Sequence, residues 1–359
     1  MSSRPGRVRA ARLTDLAALG DLSRLSHDAE GRDAPGVRSL GLPVHPSSLG
    51  VFNLFRMPLA AFRPTDQLYV YEEANRLAGL ARVERDSQRD EWTIVELDAV
   101  GFMEAGDIRL RLVQHLLRDG ARRGVARVHV ACADEGGNVA LFMQAGFVSY
   151  SQERILYRSP DQPLPSGINT AARRPGGAFA GLRPATPLDA LALSRLYGAV
   201  TPAPVARLEG YRLGDWERHG SQGRAPRSGL TPILRFADVE AYVQEAPGGG
   251  ADGTQLAGFV QVGVAKEDQP DYLRVLVLPG QDPEPLIRFG MGIIGERAAS
   301  HRGSGHRHDH GILCPVRTYE SPVDRRLEDH GFEATATVTL LLKDALVRVA
   351  EPVLVPATR

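Results

Sequence analysis

Hydrophobic and polar residues follow two different periods along the first 159 residues. In several stretches they alternate every second residue, as in strands with one buried face. In two longer stretches the hydrophobic residues recur every three or four positions, as on one face of a helix. A short helix is expected to start at an Asn N-cap, Asn138, and to end at Gly146, because glycine suits the left-handed conformation that closes a helix. The predicted strands are 8–12, 68–73, 76–85, 92–100, 128–133 and 148–158, and the predicted long helices are 13–25 and 108–123.

The same succession of patterns returns in the second half of the chain. Five matches keep their order, and their offset drifts only from 173 to 185 residues. One such match could arise by chance, but five in the same order are hard to explain that way. We therefore expect an internal duplication. The matched segments are 8–11 and 15–19 with 182–185 and 189–193, 69–70 with 242–243, 77–83 with 256–262, 95–100 with 274–279, and 146–147 with 331–332.

A Pro- and Gly-rich stretch separates the two repeats. Residues 160–181 show no hydrophobic period and are typical of a linker. We therefore predict an N-terminal domain over 1–159 and a C-terminal domain over 182–359. Mixed strands joined by crossover helices predict an α/β fold class, with an α+β mixed sheet of ~150 residues in each domain.

The composition is that of a globular protein with a core. The chain has 359 residues, of which 43% are hydrophobic and 24% charged. Apolar runs stay below the ~18 residues that span a membrane, and the basic N-terminus lacks the apolar segment of a secretory signal, so a cytoplasmic protein is expected. A net charge of zero gives no electrostatic reason to expect a nucleic acid or a membrane as partner. Cys132 and Cys314 are expected to be buried, reduced thiols.

The order of elements, the strand Leu77–Val83 ("LAGLARV") and the ending Asn138…Gly146-Phe147 together resemble the GNAT (Gcn5-related N-acetyltransferase) superfamily. The resemblance extends over both halves, so the whole chain is similar to a tandem GNAT protein. It implies two GNAT-like acyl-CoA N-acyltransferase domains, acetyl-CoA as cofactor, and an amine of a small molecule or protein as acceptor. Such motifs identify a fold rather than an acceptor, and they leave the oligomeric state open.

By this resemblance, the turn after the fourth strand should hold the pyrophosphate of coenzyme A. The family carries Gln/Arg-x-x-Gly-x-Gly/Ala there, and backbone N–H groups at the following helix N-terminus bind the phosphates. In this chain only Gly106 fits the pattern, and Asp107 reads as an N-cap that supplies its own anion. The second half keeps Gln281 but adds two prolines, which lack N–H groups, so the first half is the expected cofactor binder. The cofactor-binding residues that the resemblance assigns are Ala99, Val100, Gly106, Asp107, Ile108, Asn138 and Phe142.

The short last helix of each half departs from the family. GNAT enzymes often use a tyrosine there to protonate the departing thiolate, but the matching residues are Phe142 and Leu327, which have no such proton. Asn138 matches a polar residue that often contacts the cofactor near its pantetheine arm. A plain helix N-cap explains Asn138 equally well.

Glu96 and Asp98 are the candidate catalytic residues. They lie two positions apart on a strand expected to be central, so both carboxylates leave the same face. A central strand is usually a continuous apolar run, which makes this pair unusual. Some GNAT enzymes use a glutamate on this strand as general base. The alternative is that both carboxylates are hydrated or paired with Arg82.

Four histidines and an aspartate fall within His301–His310. Such a cluster could bind Zn²⁺ or Ni²⁺. By the repeat, however, it corresponds to the loop near Gly124, away from the expected cleft. A flexible loop without a resident metal is therefore expected.

Two functions from different classes follow. The first is an acetyl-CoA-dependent N-acetyltransferase that works through its N-terminal half. The second is a pseudoenzyme whose halves have lost the cofactor turn and act as a binding or scaffolding module. The departures at the turn and the missing tyrosine favour the second, and the family resemblance favours the first.

Overall fold

The computed structural model contains one large mixed sheet with helices on both faces. It describes residues 6–22 (without 16 and 20), 37–43, 66–100 (without 87), 105–165, 179, 181–218, 225–246 (without 235), 255–265, 269–301 and 311–344. The strands are β1 Arg7–Ala10, β2 Val37–Arg38, β3 Asp66–Glu73, β4 Arg76–Asp86, β5 Glu91–Val100, β6 Arg127–Ala133, β7 Val148–Arg158, β8 Leu182–Pro184, β9 Phe236–Glu245, β10 Leu256–Ala265, β11 Asp271–Val277, β12 Ile312–Arg317 and β13 Glu333–Asp344. The helices are α1 Ala105–Arg122, α2 Asn138–Gln144, α3 Ala190–Val200, α4 Ala203–Glu209, α5 Leu213–Trp216, α6 Glu284–His301 and α7 Ser321–Asp329, with short 3₁₀ turns at Leu13–Asp15 and Pro187–Asp189.

The predicted mixed α/β architecture is confirmed. The strands lie within two residues of their predicted bounds, and α1 begins three residues before its predicted start. The predicted opening helix is described only in part, with helical residues at 17–19 and 21–22, and its last residues lie outside the described chain. Gly146 and Gly331 both have positive φ, of 86° and 79°, so the helix ending predicted for the two halves is present in each.

The "LAG" glycines of the two repeats let a helix approach the sheet closely. A Cβ built on Gly79 in β4 would lie 2.6 Å from Ile108 of α1. A Cβ built on Gly258 in β10 would lie 2.3 Å from Leu286 of α6. Both distances are far inside van der Waals contact, so neither position accepts a side chain without moving the helix. The duplication therefore preserves a packing constraint as well as a pattern.

The two repeats exchange their last strands within one sheet. The strand order is β1-β3-β4-β5-β6-β13-β7-β12-β11-β10-β9-β8, with β2 paired to β5. β13, which ends the second half, pairs antiparallel with β6 of the first half. β7, which ends the first half, pairs antiparallel with β12 of the second half and with β13. Each half thus supplies the strand that completes the other.

The hydrophobic core follows this exchange. The largest cluster of buried residues contains β5, β6 and α1 side chains together with Leu230, Ile233, Tyr272, Leu313 and Leu340 from the second half. Because strand pairing and core packing cross between the repeats, the halves depend on each other for burial. The division into 1–159, 160–181 and 182–359 stays a prediction from the sequence pattern.

Candidate cofactor and acceptor site

β5 and β6 run side by side for only part of their length. They pair in parallel over Glu91–Ile94 of β5 and Arg127–Val130 of β6, and the ladder ends there. We call the space between residues 95–100 and 131–133 the first gap. The starts of α1 and α2 follow directly after these two strands, so the first gap opens between two helix N-termini.

A segment of the chain's own backbone crosses the first gap. We call Val37–Leu42 the strap. Its first two residues form β2, which pairs antiparallel with Ala99 and Val100 at the end of β5. On the other side, the N–H of Ala133 in β6 donates a hydrogen bond of 2.9 Å to the carbonyl oxygen of Leu40. The strap therefore connects the two strand edges that the interrupted ladder leaves open.

Three consecutive residues seat the strap. Leu40 and Leu42 are buried and belong to the largest hydrophobic cluster. Gly41 between them has a φ of 64°, in the left-handed region that favours glycine. A Cβ built on Gly41 would lie 3.0 Å from the Cβ of Ala133, so the site admits only glycine without adjustment.

Asn138 faces the interior at the start of α2. The prediction that it is an N-cap is wrong, because Gly137, with a φ of 76°, takes that position and no side chain caps the helix. Asn138 Nδ2 donates to the Ala133 carbonyl at 3.0 Å, and its Oδ1 accepts from Arg109 Nη2 at 2.5 Å. Asn138 and Arg109 are both 1% exposed. The buried arginine explains the error, since it draws the carboxamide inward.

The other residues assigned to the cofactor in the first half lie in α1 and α2. Gly106, Asp107 and Ile108 are in the first turn of α1, so Asp107 is inside the helix and its predicted N-cap role is wrong. Asp107 is exposed and pairs with Arg111, with 2.7 Å between Oδ2 and Nη2. Ile108 is buried against Gly79, and Phe142 is fully buried. The preceding turn, 101–104, lies outside the described residues.

Glu96 and Asp98 lie on the stretch of β5 that borders the first gap. They are 6% and 5% exposed, so they are not hydrated at the surface, but the other form of the alternative, pairing with Arg82, is confirmed for Glu96. Arg82, directly opposite Glu96 on β4, is also buried and places its Nε 3.2 Å from Glu96 Oε2. Burial raises the pKa of Glu96, and Arg82 opposes that shift without cancelling it. A carboxyl whose pKa is raised toward neutrality has the property that a general base needs.

Strand pairing also identifies the counterpart of Glu96. Gly79 pairs with Ala99, and Gly258 pairs with Val277, so the residue three before each partner is equivalent. That residue is Glu96 in the first half and Arg274 in the second. The alignment of Val95–Val100 with Arg274–Pro279 that the sequence predicts is therefore wrong by one residue.

The second half closes its own gap with side chains. β11 and β12 pair only at Asp271 and Tyr272, and the space beyond is the second gap. Arg274 of β11 makes two hydrogen bonds of 2.6 Å to Glu320 and one of 3.2 Å to the Pro315 carbonyl on the β12 side. Arg274 and Glu320 are both buried, so this ion pair fixes the two strands together.

The turn before α6 also leaves no room for a phosphate. Asp282 Oδ1 accepts the N–H of Glu284 at 3.1 Å and so caps the helix with a carboxylate. Glu284 itself pairs with His330, directly after α7, at 2.8 Å, and Pro283 and Pro285 contribute no N–H groups. A helix start that already holds two carboxylates does not attract an anion. The described residues of the second half therefore do not fit coenzyme A.

A buried polar cluster that was not predicted joins the halves at the paired end of β5 and β6. Glu91 Oε2 lies 3.2 Å from His129 Nε2, 3.1 Å from Arg227 Nη2 and 3.4 Å from Arg89 Nη1. Burial lowers the pKa of His129 to about 4, and Arg227 adds to the effect. Burial alone would raise the pKa of Glu91, but His129 and Arg227 outweigh it and bring it to about 2. The polar positions inside the β5 and β6 patterns were the available signal, but the partner, Arg227, is distant in sequence.

Among the residues that the structure describes, no three histidine, cysteine or acidic side chains converge as a metal site. The segment 302–310, with most of the histidine cluster, lies outside those residues. Within the same described ranges, no helix has the length and apolar character to cross a membrane. Cys132 and Cys314 are buried and unpaired with each other, as predicted.

Comparisons with known proteins support the fold. No protein-family model matches the sequence, and no curated protein does. A tandem GNAT protein from the clavulanic acid biosynthesis pathway superposes with a TM-score of 0.53 at 12% identity, covering 95% of this chain and 99% of that one. A GCN5-related N-acetyltransferase from Sphaerobacter thermophilus superposes with a TM-score of 0.51 at 14% identity, covering 95% and 96%. The chain thus has the tandem GNAT fold, which confirms the predicted fold and its duplication.

Proposed function

We propose that the chain is an acyl-CoA-dependent N-acyltransferase that acetylates an amine through its first half. The observation that carries the proposal is Glu96, a buried carboxyl with a raised pKa on the part of β5 that borders the first gap. The tandem GNAT fold supports the reaction class, because a fold narrows the chemistry without fixing it. The acceptor is a small-molecule or protein amine.

In this proposal Glu96 accepts the proton that an ammonium group must lose before it attacks. A base is most effective when its pKa lies near the working pH, and burial shifts the pKa of Glu96 upward, in that direction. Arg82 holds the carboxylate in place through the 3.2 Å ion pair. Asp98 shares the face and hydrogen-bonds to Glu96, an interaction that opposes the rise in the pKa of Glu96. The second half carries Arg274 at the equivalent position and takes no part in proton transfer.

A second function is favoured by the two closed gaps. The strap occupies the edge of β5 in the first half, and the Arg274–Glu320 pair crosses the second gap. A chain that never opens either gap would be a binding or scaffolding module without catalysis. The strap pairs with the edges that border the first gap, so the two functions differ in whether the strap leaves.

The test is acetyl transfer from acetyl-CoA to a panel of primary amines, followed by release of the free thiol. Glu96→Gln should lower kcat by about 100-fold or more, the usual contribution of a general base. Asp98→Asn shows whether the neighbouring carboxylate is the base instead. Equal rates for the wild type and both variants would exclude the assignment.

Binding is tested separately by thermal unfolding with acetyl-CoA. Ligand at ~100 times its dissociation constant should add about 2.7 kcal/mol to a folded state that binds it. Gly106→Glu places a negative charge in the first turn of α1 and should abolish the shift. The matched control is Gly198→Glu in α3, an exposed helical glycine with open space around it. The scaffolding function replaces the transferase if acetyl-CoA stabilises neither the wild type nor a variant whose strap is released.

A further inference from the structure

The strap uses the hydrogen-bonding groups that a linear ligand would need. Pairing with β2 engages the backbone of Ala99 and Val100, and the Ala133 N–H is bonded to the Leu40 carbonyl. The pantetheine arm of coenzyme A is an extended chain with two amide groups, and such chains bind by adding to an open strand edge. An arm that reaches from the start of α1 into the first gap meets the same edges. Strap and arm cannot occupy them together.

We propose that the strap, Val37–Leu42, is a displaceable internal competitor for the cofactor. It rests on the proposed transferase function of the first half and adds a gate to it. With the strap seated the first gap is closed, and the chain binds acyl-CoA only from the minor population in which the strap has left. The apparent association constant for acyl-CoA is then the intrinsic constant multiplied by the fraction of molecules in which the strap has left.

The way the strap is held favours displacement. Its strand pairing covers two residues, and among its described side chains, those of residues 39–42, Leu40 and Leu42 are buried. Elements with few buried contacts open at lower free energy than the core they rest on. Withdrawal leaves β5 in its ladders with β4 and β6, so the sheet keeps its framework.

The second gap is closed in a different way. There the bridge is the buried Arg274–Glu320 ion pair between side chains of the sheet itself. Opening it would leave two buried charges without partners, which costs far more than releasing a short backbone segment. The same gap is thus sealed in the second half and gated in the first.

Gly41→Ala tests the gate by weakening the seated state alone. It forces a side chain into the left-handed region at a φ of 64° and within 3.0 Å of the Ala133 Cβ. The strain disappears once the strap leaves, so the open fraction should rise roughly tenfold. Gly181→Ala is the matched control, because it has a φ of 77° but only ordinary contacts of 3.5 Å or more, at the start of the second half.

Two measurements are made on the full chain. Hydrogen exchange follows the strap amides and the Ala133 amide without ligand. Calorimetry measures the affinity for acetyl-CoA. The gate predicts that in Gly41→Ala the strap amides exchange about tenfold faster and acetyl-CoA binds about tenfold more tightly than in the wild type. Gly181→Ala should change neither quantity.

Three results would overturn the gate. Strap amides that exchange only with global unfolding would make the strap a permanent strand, whatever the ligand does. Equal affinity of wild type and Gly41→Ala for acetyl-CoA would refute the gate and leave the transferase standing. If Gly41→Ala opens the strap by exchange yet binds no acetyl-CoA, the transferase proposal fails and the gate fails with it.

Discussion

Acidification should destabilise the fold through His129, the neutral imidazole between the halves. Its pKa is about 4 in the folded chain, against an ordinary value of 6.5, because burial disfavours the charged form. As the pH falls below 6.5 the unfolded chain takes up a proton that the folded chain refuses. The contribution of His129 to the free energy of unfolding is therefore fully present above pH 6.5 and is lost as the pH falls toward 4. Between pH 7 and pH 5 this one group should remove about 2 kcal/mol, and about 3 kcal/mol by pH 4.

The measurement is urea unfolding at pH 7 and at pH 5 for the wild type and for His129→Gln. The wild type should lose about 2 kcal/mol more than the variant between the two pH values. His115, whose pKa is also lowered by burial, titrates in the same range but is present in both chains, so its effect cancels. Glu91, with a pKa of about 2 against 4.5, loses its contribution only below pH 4.5. A variant that is as sensitive to acid as the wild type would refute the reasoning.

Arg227 provides an independent check of the cause. It lies 3.1 Å from Glu91 and lowers the pKa of His129. Replacing its guanidinium, in Arg227→Met, should raise the pKa of His129 and reduce the acid-dependent loss. An unchanged loss would assign the low pKa to burial alone.

Two further predictions concern the closed second half and the exchanged strands. Arg274→Met should cost about 3–5 kcal/mol in urea unfolding, because Glu320 is left charged and buried, whereas adding Glu320→Gln should recover much of that loss; simple additivity of the two changes would contradict the buried pair. Residues 1–159 expressed alone should aggregate, because β6 and β7 lose β13 and β12 and expose unpaired edges, while co-expression with 182–359 should restore a single species in size-exclusion chromatography; a monomeric, folded 1–159 fragment would show that the exchange is dispensable.

The fold was largely predictable because its information is local and repeated. The alternation in β7 and β13 and the glycine endings of α2 and α7 can be read from neighbouring residues, and the second copy of each pattern checks the first. The exchange of β7 and β13 was not predictable, because alternation identifies a strand and its buried face but not its partner. Two antiparallel last strands of similar length satisfy either pairing.

The candidate site was predictable only in part. Glu96 and Asp98 stood out as charges in an apolar strand, and they do border the first gap. The strap could not be found, because two paired residues carry no period. The prediction that Asn138 caps α2 was wrong because its orientation depends on Arg109, a charged residue that periodicity does not place in the interior.

A single strand position separates the two halves chemically. Glu96 and Arg274 are equivalent in the sheet, yet one is a buried acid with a raised pKa and the other a buried cation locked to Glu320. A guanidinium has no accessible neutral form and so cannot serve as a base. It is well suited to bridging strands, and the second half uses it so. The second half also supplies β13, the neighbour that β6 needs. In our proposal the second half thus provides a fixed framework through the Arg274–Glu320 pair and β13, and the first half can open its gap.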